Sequence, residues 1–250
     1  MTLQNSPKKL ILLGFCAGSI PVICDISEHE FGIKSFDIVK NIDTRENERP
    51  YFFDDHHVSV YKDTEYDVEN YSKSPVHFAV LNSHIKYILY HHFLHKYGVQ
   101  KERYLNLIHS SCEISKAVSV SNGNLIEPLS ALSPFSKLGF GVTIKRKCSL
   151  GHHSVLGDFV NLNPGVDISG NVTVGEGTEV GTGTSVVNNV SIGKHCLIGA
   201  GSVVTRDIPD GVIAYGNPCK VIRINERWVK AMQLIGGDSD ITTYGGTFSE

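Results

Sequence analysis

Residues 149–166 read SLGHHSVLGDFVNLNPGV. Within them Leu150, Leu156 and Leu162 recur every sixth residue. That spacing is neither the 3.6-residue period of a helix nor the two-residue alternation of a strand. Followed outward it holds from Ile108 to Val204, where seventeen consecutive sixth residues are Ile, Leu or Val. At ordinary composition each such position would be aliphatic about one time in four, so the run is not accidental. Four residues after each member the side chain is usually small or β-branched, as at Cys148, Ser154, Val160, Val166, Thr178 and Cys196. Glycine often follows the aliphatic residue directly, as at Gly151, Gly157, Gly175, Gly181, Gly193 and Gly199.

A hexapeptide repeat of this kind predicts a parallel β-helix of triangular section. One flat side takes six residues. The aliphatic residue points inward, the small residue packs beside it, and glycine or a polar residue turns the corner. Three hexads close a coil, so residues eighteen apart stack about 4.8 Å apart along the axis. Cys112, Cys148 and Cys196 fall on the small inward position and read as core filling.

Composition narrows the function classes. The six cysteines form no CxxC pair, which predicts a reducing cytoplasm. A formal net charge of −3 leaves no footprint for a polyanion, so nucleic acid is not an expected partner. The basic run Lys145-Arg146-Lys147 reads as a solvated turn. No apolar run is long enough to span a bilayer, and the first residues lack the cleavage pattern of a signal peptide.

Ahead of the repeat, KLILL (9–13), FDIVKNID (36–43) and VHFAVLN (76–82) read as strands. HIKYILYHHFLHKYG follows the last, with Ile85, Ile88, Leu89, His92, Phe93 and Tyr97 at helical spacing and Gly98 closing the helix. Strands alternating with helices predict a small parallel α/β domain, Rossmann-like. Residues 46–75 are polar and predict a loop with at most one short strand. Beyond the repeat, Asn225 can cap a helix over ERWVKAMQLI with Trp228, Met232 and Ile235 on one face. That helix is expected on the last coil or a second copy, covering the open β-edge. The expected organisation is a domain over 1–104, a β-helix over 105–223, and a helix with a loosely held tail over 224–250.

A small α/β domain before a hexapeptide helix resembles the hexapeptide-repeat sugar-nucleotide acetyltransferases, the bacillosamine and perosamine N-acetyltransferase and sialic acid O-acetyltransferase-like group. The strings that carry the resemblance are YLNLIHSSCEIS, GHHSVLGDFVNLNPGVDISGNVTVGEGTEVGTG and IGAGSVVTRDIPDGVIAYGNPCKVI. It implies a left-handed β-helix, an exception to the right-handed crossover rule. It also implies transfer of an acetyl group from acetyl-CoA to the amino group of a nucleotide-linked amino sugar for surface glycans. O-acetylation of a sugar acid or another small acceptor is a second expectation, and a non-catalytic β-helix scaffold a third.

Acyl transfer from a thioester needs a base for the acceptor's proton and a donor for the developing oxyanion. By the family register His152 is the base, and His153 replaces the carboxylate that usually follows it. His153, a backbone carbonyl and Asp158 are the candidates to orient His152. Gly170, eighteen residues on, is expected to offer its N–H to the thioester carbonyl. Asn161, Thr182, Ala200 and Lys220 are expected to contact coenzyme A. In the front domain the family's Gly-rich turn reads GFCAGS, and the resemblance places the nucleotide-sugar against Gly14, Cys16, Asp43 and Asn82. The middle glycine of a dinucleotide fingerprint is replaced by Cys16, so NAD binding is not expected. Zinc would need histidines at stacked positions, and the neighbours of His152 are Pro134 and Gly170, so no metal is expected. His56-His57 and His91-His92 read as surface residues. A corner site needs a second wall, which predicts a homotrimer with coenzyme A in the cleft between neighbouring helices.

Overall fold

The computed structural model describes residues 7–41, 53–67 and 69–236. Four parallel strands form the front sheet: β1 (Lys9–Leu13), β2 (Ser35–Lys40), β3 (His57–Lys62) and β4 (Val76–Phe78), in the order β3-β2-β1-β4. Helix α1 (Ile20–Phe31) packs on one face through Ile20, Ile23 and Cys24 against Leu10, Leu12, Phe36 and Ile38. Helix α3 (Ser83–Tyr97) packs on the other through Leu89 and Phe93 against Ile11, Leu13 and Val39. The even and odd residues of KLILL thus feed two separate cores, as a strand covered on both faces must. The expected second strand stops at Lys40, and Asp43 lies outside the described residues. The third stops at Phe78, because the chain leaves the sheet to reach the α3 N-terminus at Asn82. Within the expected loop the structure has β3 and a single-turn helix, α2 (Asn70–Lys73).

The repeat folds as its period demands. Seventeen two-residue strands, β5 (Leu107–Ile108) through β21 (Val203–Val204), each end on a member of the aliphatic series. Pairing joins residues eighteen apart, as in Ser149↔Asp167 and Leu150↔Ile168. Three parallel sheets result, and their inward residues form one continuous column of core. The sheet that begins with β5 is extended by β22 (Val212–Tyr215) and closed by antiparallel β23 (Lys220–Ile224).

The corners correct the sequence reading. The residues with positive φ are not the glycines behind the aliphatic residues but those two places further on, every sixth residue from Gly123 to Gly201. That series includes Leu129, Phe135, Lys147, His153, Phe159 and His195. The glycines behind the aliphatic residues are small because the next coil lies on them. A Cβ at Gly151 would stand 2.4 Å from the carbonyl carbon of Ser169.

Among the described residues one sheet face is covered and two are open. The outward residues Leu107, Leu125, Thr143, Asn161 and Glu179 are buried beneath the front domain and the C-terminal helix. Lys86 on α3 reaches through to donate to Thr143 Oγ1 at 2.9 Å and also bonds the Gly141 carbonyl. Glu179 accepts from the Ser83 N–H at 2.7 Å. Phe78, Tyr90, Phe140 and Phe159 pack together across the same junction. Helix α4 (Glu226–Leu234) lies on this covered face and against α3, where Trp228 stacks on His195 at 4.1 Å and meets Tyr87. It therefore does not cover the open β-edge, which β23 closes on this sheet. Its buried residues are Trp228 and Ala231, with Met232 and Ile235 half-buried. Asn225 occupies the N-cap position without a side-chain cap, because its Nδ2 donates to the His195 carbonyl instead.

Candidate active site

His152 and His153 turn the corner between the two open faces, opposite the covered one. Both are exposed. The corner is fixed by the ladder: the His153 N–H donates to the Pro134 carbonyl at 3.2 Å, and the Asn171 N–H donates to the His152 carbonyl at 2.9 Å. His153 has φ +59°, and that left-handed turn sends the two imidazoles out side by side.

The rings meet through Nδ1 atoms 3.1 Å apart. One Nδ1 must donate and the other accept. If His152 is to accept a proton on Nε2, its own proton sits on Nδ1 and His153 accepts it, which puts the His153 proton on its Nε2. His153 is thus the orienting partner. Asp158 is not, because its carboxylate takes the Phe140 N–H at 2.8 Å and pairs with Lys101 at 2.7 Å on another corner.

Gly170 lies directly over the His152 ring. A Cβ there would fall 2.7 Å from both Cε1 and Nε2. Glycine therefore leaves room for Nε2 and a reacting group at the same place. The Gly170 N–H is already held, however: Asn188 Oδ1 accepts it at 2.9 Å. Asn188 stands eighteen residues on, and the same stacked capping recurs where Asp158 accepts from the Phe140 N–H. An oxyanion reaches this N–H only by displacing the Asn188 carboxamide.

The other expected contacts divide. Thr182 and Ala200 stack on one another at a different corner, both exposed, with the Gly201 N–H donating to the Thr182 carbonyl. Their neighbours Gly165, Gly183 and Gly201 form a column where a Cβ would meet nothing within 4 Å, leaving an open strip of backbone. Such a strip suits a long, thin ligand. Lys220 is exposed at the start of β23 opposite Tyr215, which packs over Gly199. Asn161 does not join them. It is 2% exposed, stacked between Thr143 and Glu179 on the face that α3 covers, which removes it from any cleft.

In the front domain Gly14 has φ +88°, and a Cβ there would strike Leu89 Cδ1 at 2.6 Å. Cys16 is half-buried against the same apolar cluster. Gly14 and Cys16 are therefore packed beneath α3, while Phe15 packs on the α1 side and Gly18 is exposed. Asn82 is exposed at the α3 N-cap. The cavity on this side, about 410 Å³, is lined instead by Asn41, Ile88, His91, His92, His95 and Lys96, with Leu234 and Ile235 of the C-terminal segment. Asp63 holds His92 at 2.7 Å and Lys96 at 3.0 Å, and these contacts keep its carboxyl below the usual range against the opposing effect of burial.

Two clusters carry metal-type donors among the described residues. In His29–Glu30–His109 the imidazoles are stacked face to face at 4.6 Å, so their in-plane lone pairs cannot converge on one ion without rotating. In Glu28–Asp55–His56, Lys34 already supplies the cation.

Sequence reading missed Asn188, Phe135, Lys86 and Glu179. The eighteen-residue stack was the available signal for the first two, which place a side chain above Gly170 and below His153.

Residues 171–206 match the family model described as bacterial transferase hexapeptide (six repeats). No curated protein matches the chain in sequence. Among solved structures, a variant of perosamine N-acetyltransferase from Caulobacter crescentus in complex with CoA and GDP-perosamine is 25% identical, with a TM-score of 0.71 over 86% of this chain and 96% of that one. The acetyltransferase domain of PglB from Neisseria gonorrhoeae, in complex with acetyl coenzyme A, is 22% identical with a TM-score of 0.70, covering 86% and 100%. WeeI from Acinetobacter baumannii is 23% identical with a TM-score of 0.65, covering 86% and 99%. Residues 171–206 thus carry the bacterial transferase hexapeptide repeat, and the chain has the fold of these sugar N-acetyltransferase structures, a small α/β domain followed by a left-handed β-helix.

Proposed function

We propose that the protein transfers the acetyl group of acetyl-CoA to the amino group of a nucleotide-linked amino sugar, in the synthesis of surface glycans. The carrying observation is the His152 ring, with Nδ1 tied to His153 and Nε2 lying under Gly170. His152 Nε2 takes the proton of the acceptor amine as the nitrogen attacks the thioester carbonyl, and returns it to the departing thiolate. His153 keeps the tautomer and accepts from Nδ1 throughout. The Gly170 N–H, released by Asn188, faces the developing oxyanion. Acetyl-CoA supplies the activated acyl group, and the open backbone strip at Gly165, Thr182, Gly183, Ala200 and Gly201 accommodates its long arm, with Lys220 near the phosphates.

The nucleotide end of the acceptor is assigned to the cavity beside α3, where His91 and His95 line the wall next to His92 and Lys96, which Asp63 holds in place. That cavity is on the covered side of the prism and His152 on the opposite corner. The acceptor therefore spans two copies, which supports a homotrimer with the active site between neighbours.

The test is thiol release from acetyl-CoA on adding a panel of nucleotide-linked amino sugars, sugar acids and small acceptors, with the product identified by mass. Turnover is expected with an amino sugar nucleotide alone. Turnover only with hydroxyl acceptors would reassign the reaction, and none with any acceptor, together with no CoA binding, would leave a scaffold.

A further inference from the structure

Phe135 sits one coil before His153, at the same corner. Its backbone has φ +64°, a conformation in which a bulky side chain is strained. Its ring is 58% exposed and belongs to no core of this chain. Two unfavourable features thus coincide in one residue, at the turn position that glycine or asparagine fills at Gly165, Asn171 and Gly183; Leu129 shares both features, but Phe135 alone of the two stands against the histidine pair. The ring has one aromatic partner, the His153 imidazole, at 4.9 Å between centroids and 34° between planes. His153 in turn meets His152 through Nδ1.

We propose that Phe135 is a positioning residue for the histidine pair: it backs the His153 ring so that Nδ1 stays aimed at His152. His153 needs such a support. It is exposed, no carboxylate holds it, and an imidazole is free to rotate about two torsions in a left-handed turn. A carboxylate in its place would present two equivalent oxygens and tolerate rotation. The imidazole offers a single acceptor in one orientation. Tilted ring packing against Phe135 restricts that rotation without competing for either nitrogen. The inference rests on His152 being the base, and its test separates the two.

The variants are Phe135→Gly, which suits the backbone and deletes the ring, and Phe135→Tyr, which keeps the ring. In the full chain with acetyl-CoA and an accepted amino sugar nucleotide, Phe135→Gly should lower kcat about tenfold and leave both KM values within twofold. Its melting temperature should hold or rise, because the turn is relieved. Phe135→Tyr should restore kcat. In a His153→Ala background Phe135→Gly should have no further effect, since the ring acts through His153. Independently of turnover, the ¹⁵N shifts of the imidazoles should report one hydrogen-bonded Nδ1 pair in the wild type and its loss in Phe135→Gly. Retention of that pair in Phe135→Gly overturns the proposal whether or not the protein is an acetyltransferase. So does a raised acceptor KM at unchanged kcat, which makes the ring a substrate platform, and so does dissociation of the assembly, which makes it an interface residue. Inactivity of the wild type with loss of the Nδ1 pair in Phe135→Gly leaves the positioning role supported and removes only the catalytic reading.

Discussion

Gly170→Ala isolates the chemistry from the fold. The new Cβ would lie 2.7 Å from His152 Cε1 and Nε2, where ordinary contact begins at 3.4 Å. The obstacle is the end of an exposed side chain, so the ring gives way by roughly 0.7 Å or more while the coils stay in place, a displacement of the kind that costs about 10²-fold when reacting groups are misplaced by about 1 Å. Nothing in the Gly170 backbone resists a side chain, because Gly170 is not among the residues with positive φ. We expect kcat to fall about 10²-fold, some 2.7 kcal/mol of transition-state stabilisation, with the melting temperature nearly unchanged. Gly151→Ala is the control of opposite sign. Its Cβ would meet backbone, 2.4 Å from Ser169 C and 2.5 Å from Gly170 N, so two coils must separate. Overpacking against backbone should destabilise by about 1–3 kcal/mol or more. The assay is steady-state kinetics and thermal melting of both variants, with CoA binding measured by calorimetry. A Gly170→Ala enzyme turning over within threefold of wild type would refute the placement of the imidazole beneath the reacting carbonyl.

His152→Ala should lower kcat by about 10²-fold or more with little change in CoA affinity, because the ring meets the acceptor's proton rather than the body of the donor. His153→Ala should lose less, and His153→Glu should keep or raise kcat, since a carboxylate accepts from Nδ1 and pairs with the imidazolium. A larger loss in His153→Ala than in His152→Ala would move the base by one residue. Burial lowers the Lys86 pKa to about 7, and Glu179 offsets this only in part. The unfolded chain then carries the extra proton between about pH 7 and its ordinary value near 10.4, so stability rises with pH across that window by up to about 1.4 kcal/mol per unit. Lys86→Met should lose this slope in chemical denaturation at pH 7, 8 and 9, and an unchanged slope would show that the ammonium stays charged at the junction. Trp228→Ala removes the ring stacked on His195 and lying over Gly177; it should cost about 3–5 kcal/mol, read as a lower denaturation midpoint, and a shift under 1 kcal/mol would make α4 dispensable to the fold.

The β-helix was legible because its register is one number. Once Leu150, Leu156 and Leu162 set the period, the inward column and the pairing of Ser149 with Asp167 followed from arithmetic. The corners were less legible because two residues there are glycine-rich for different reasons. Gly151 is small because Ser169 lies against it, whereas Gly183 adopts the left-handed turn, and composition alone does not separate close approach from positive φ. The front domain was read from apolar runs, which found β1 but overran β4, since Ala79 and Val80 remain apolar and buried after leaving the sheet. At the site, stacking predicted Gly170 beside His152, but not that Asn188 would take its N–H. Asn161 was misplaced because family register says which corner a residue occupies and not what the rest of the chain packs on it.

A triangular prism has one corner opposite each face. The front domain and α4 cover the face that carries Thr143, Asn161 and Glu179, held there by Lys86 and by the Ser83 N–H. The corner opposite that face carries His152 and His153, while the strip at Thr182 and Ala200 lies on a corner that borders it. No rotation of side chains brings these three together in one chain, because the core column of Leu150, Leu162 and Val180 stands between them. In the proposed assembly the histidine corner of one copy faces the strip and front domain of another. Under that assembly the chemistry of the pair depends on association: dilution below its dissociation constant should abolish turnover while leaving each chain folded, and turnover that persists in a monomer would refute the assembly.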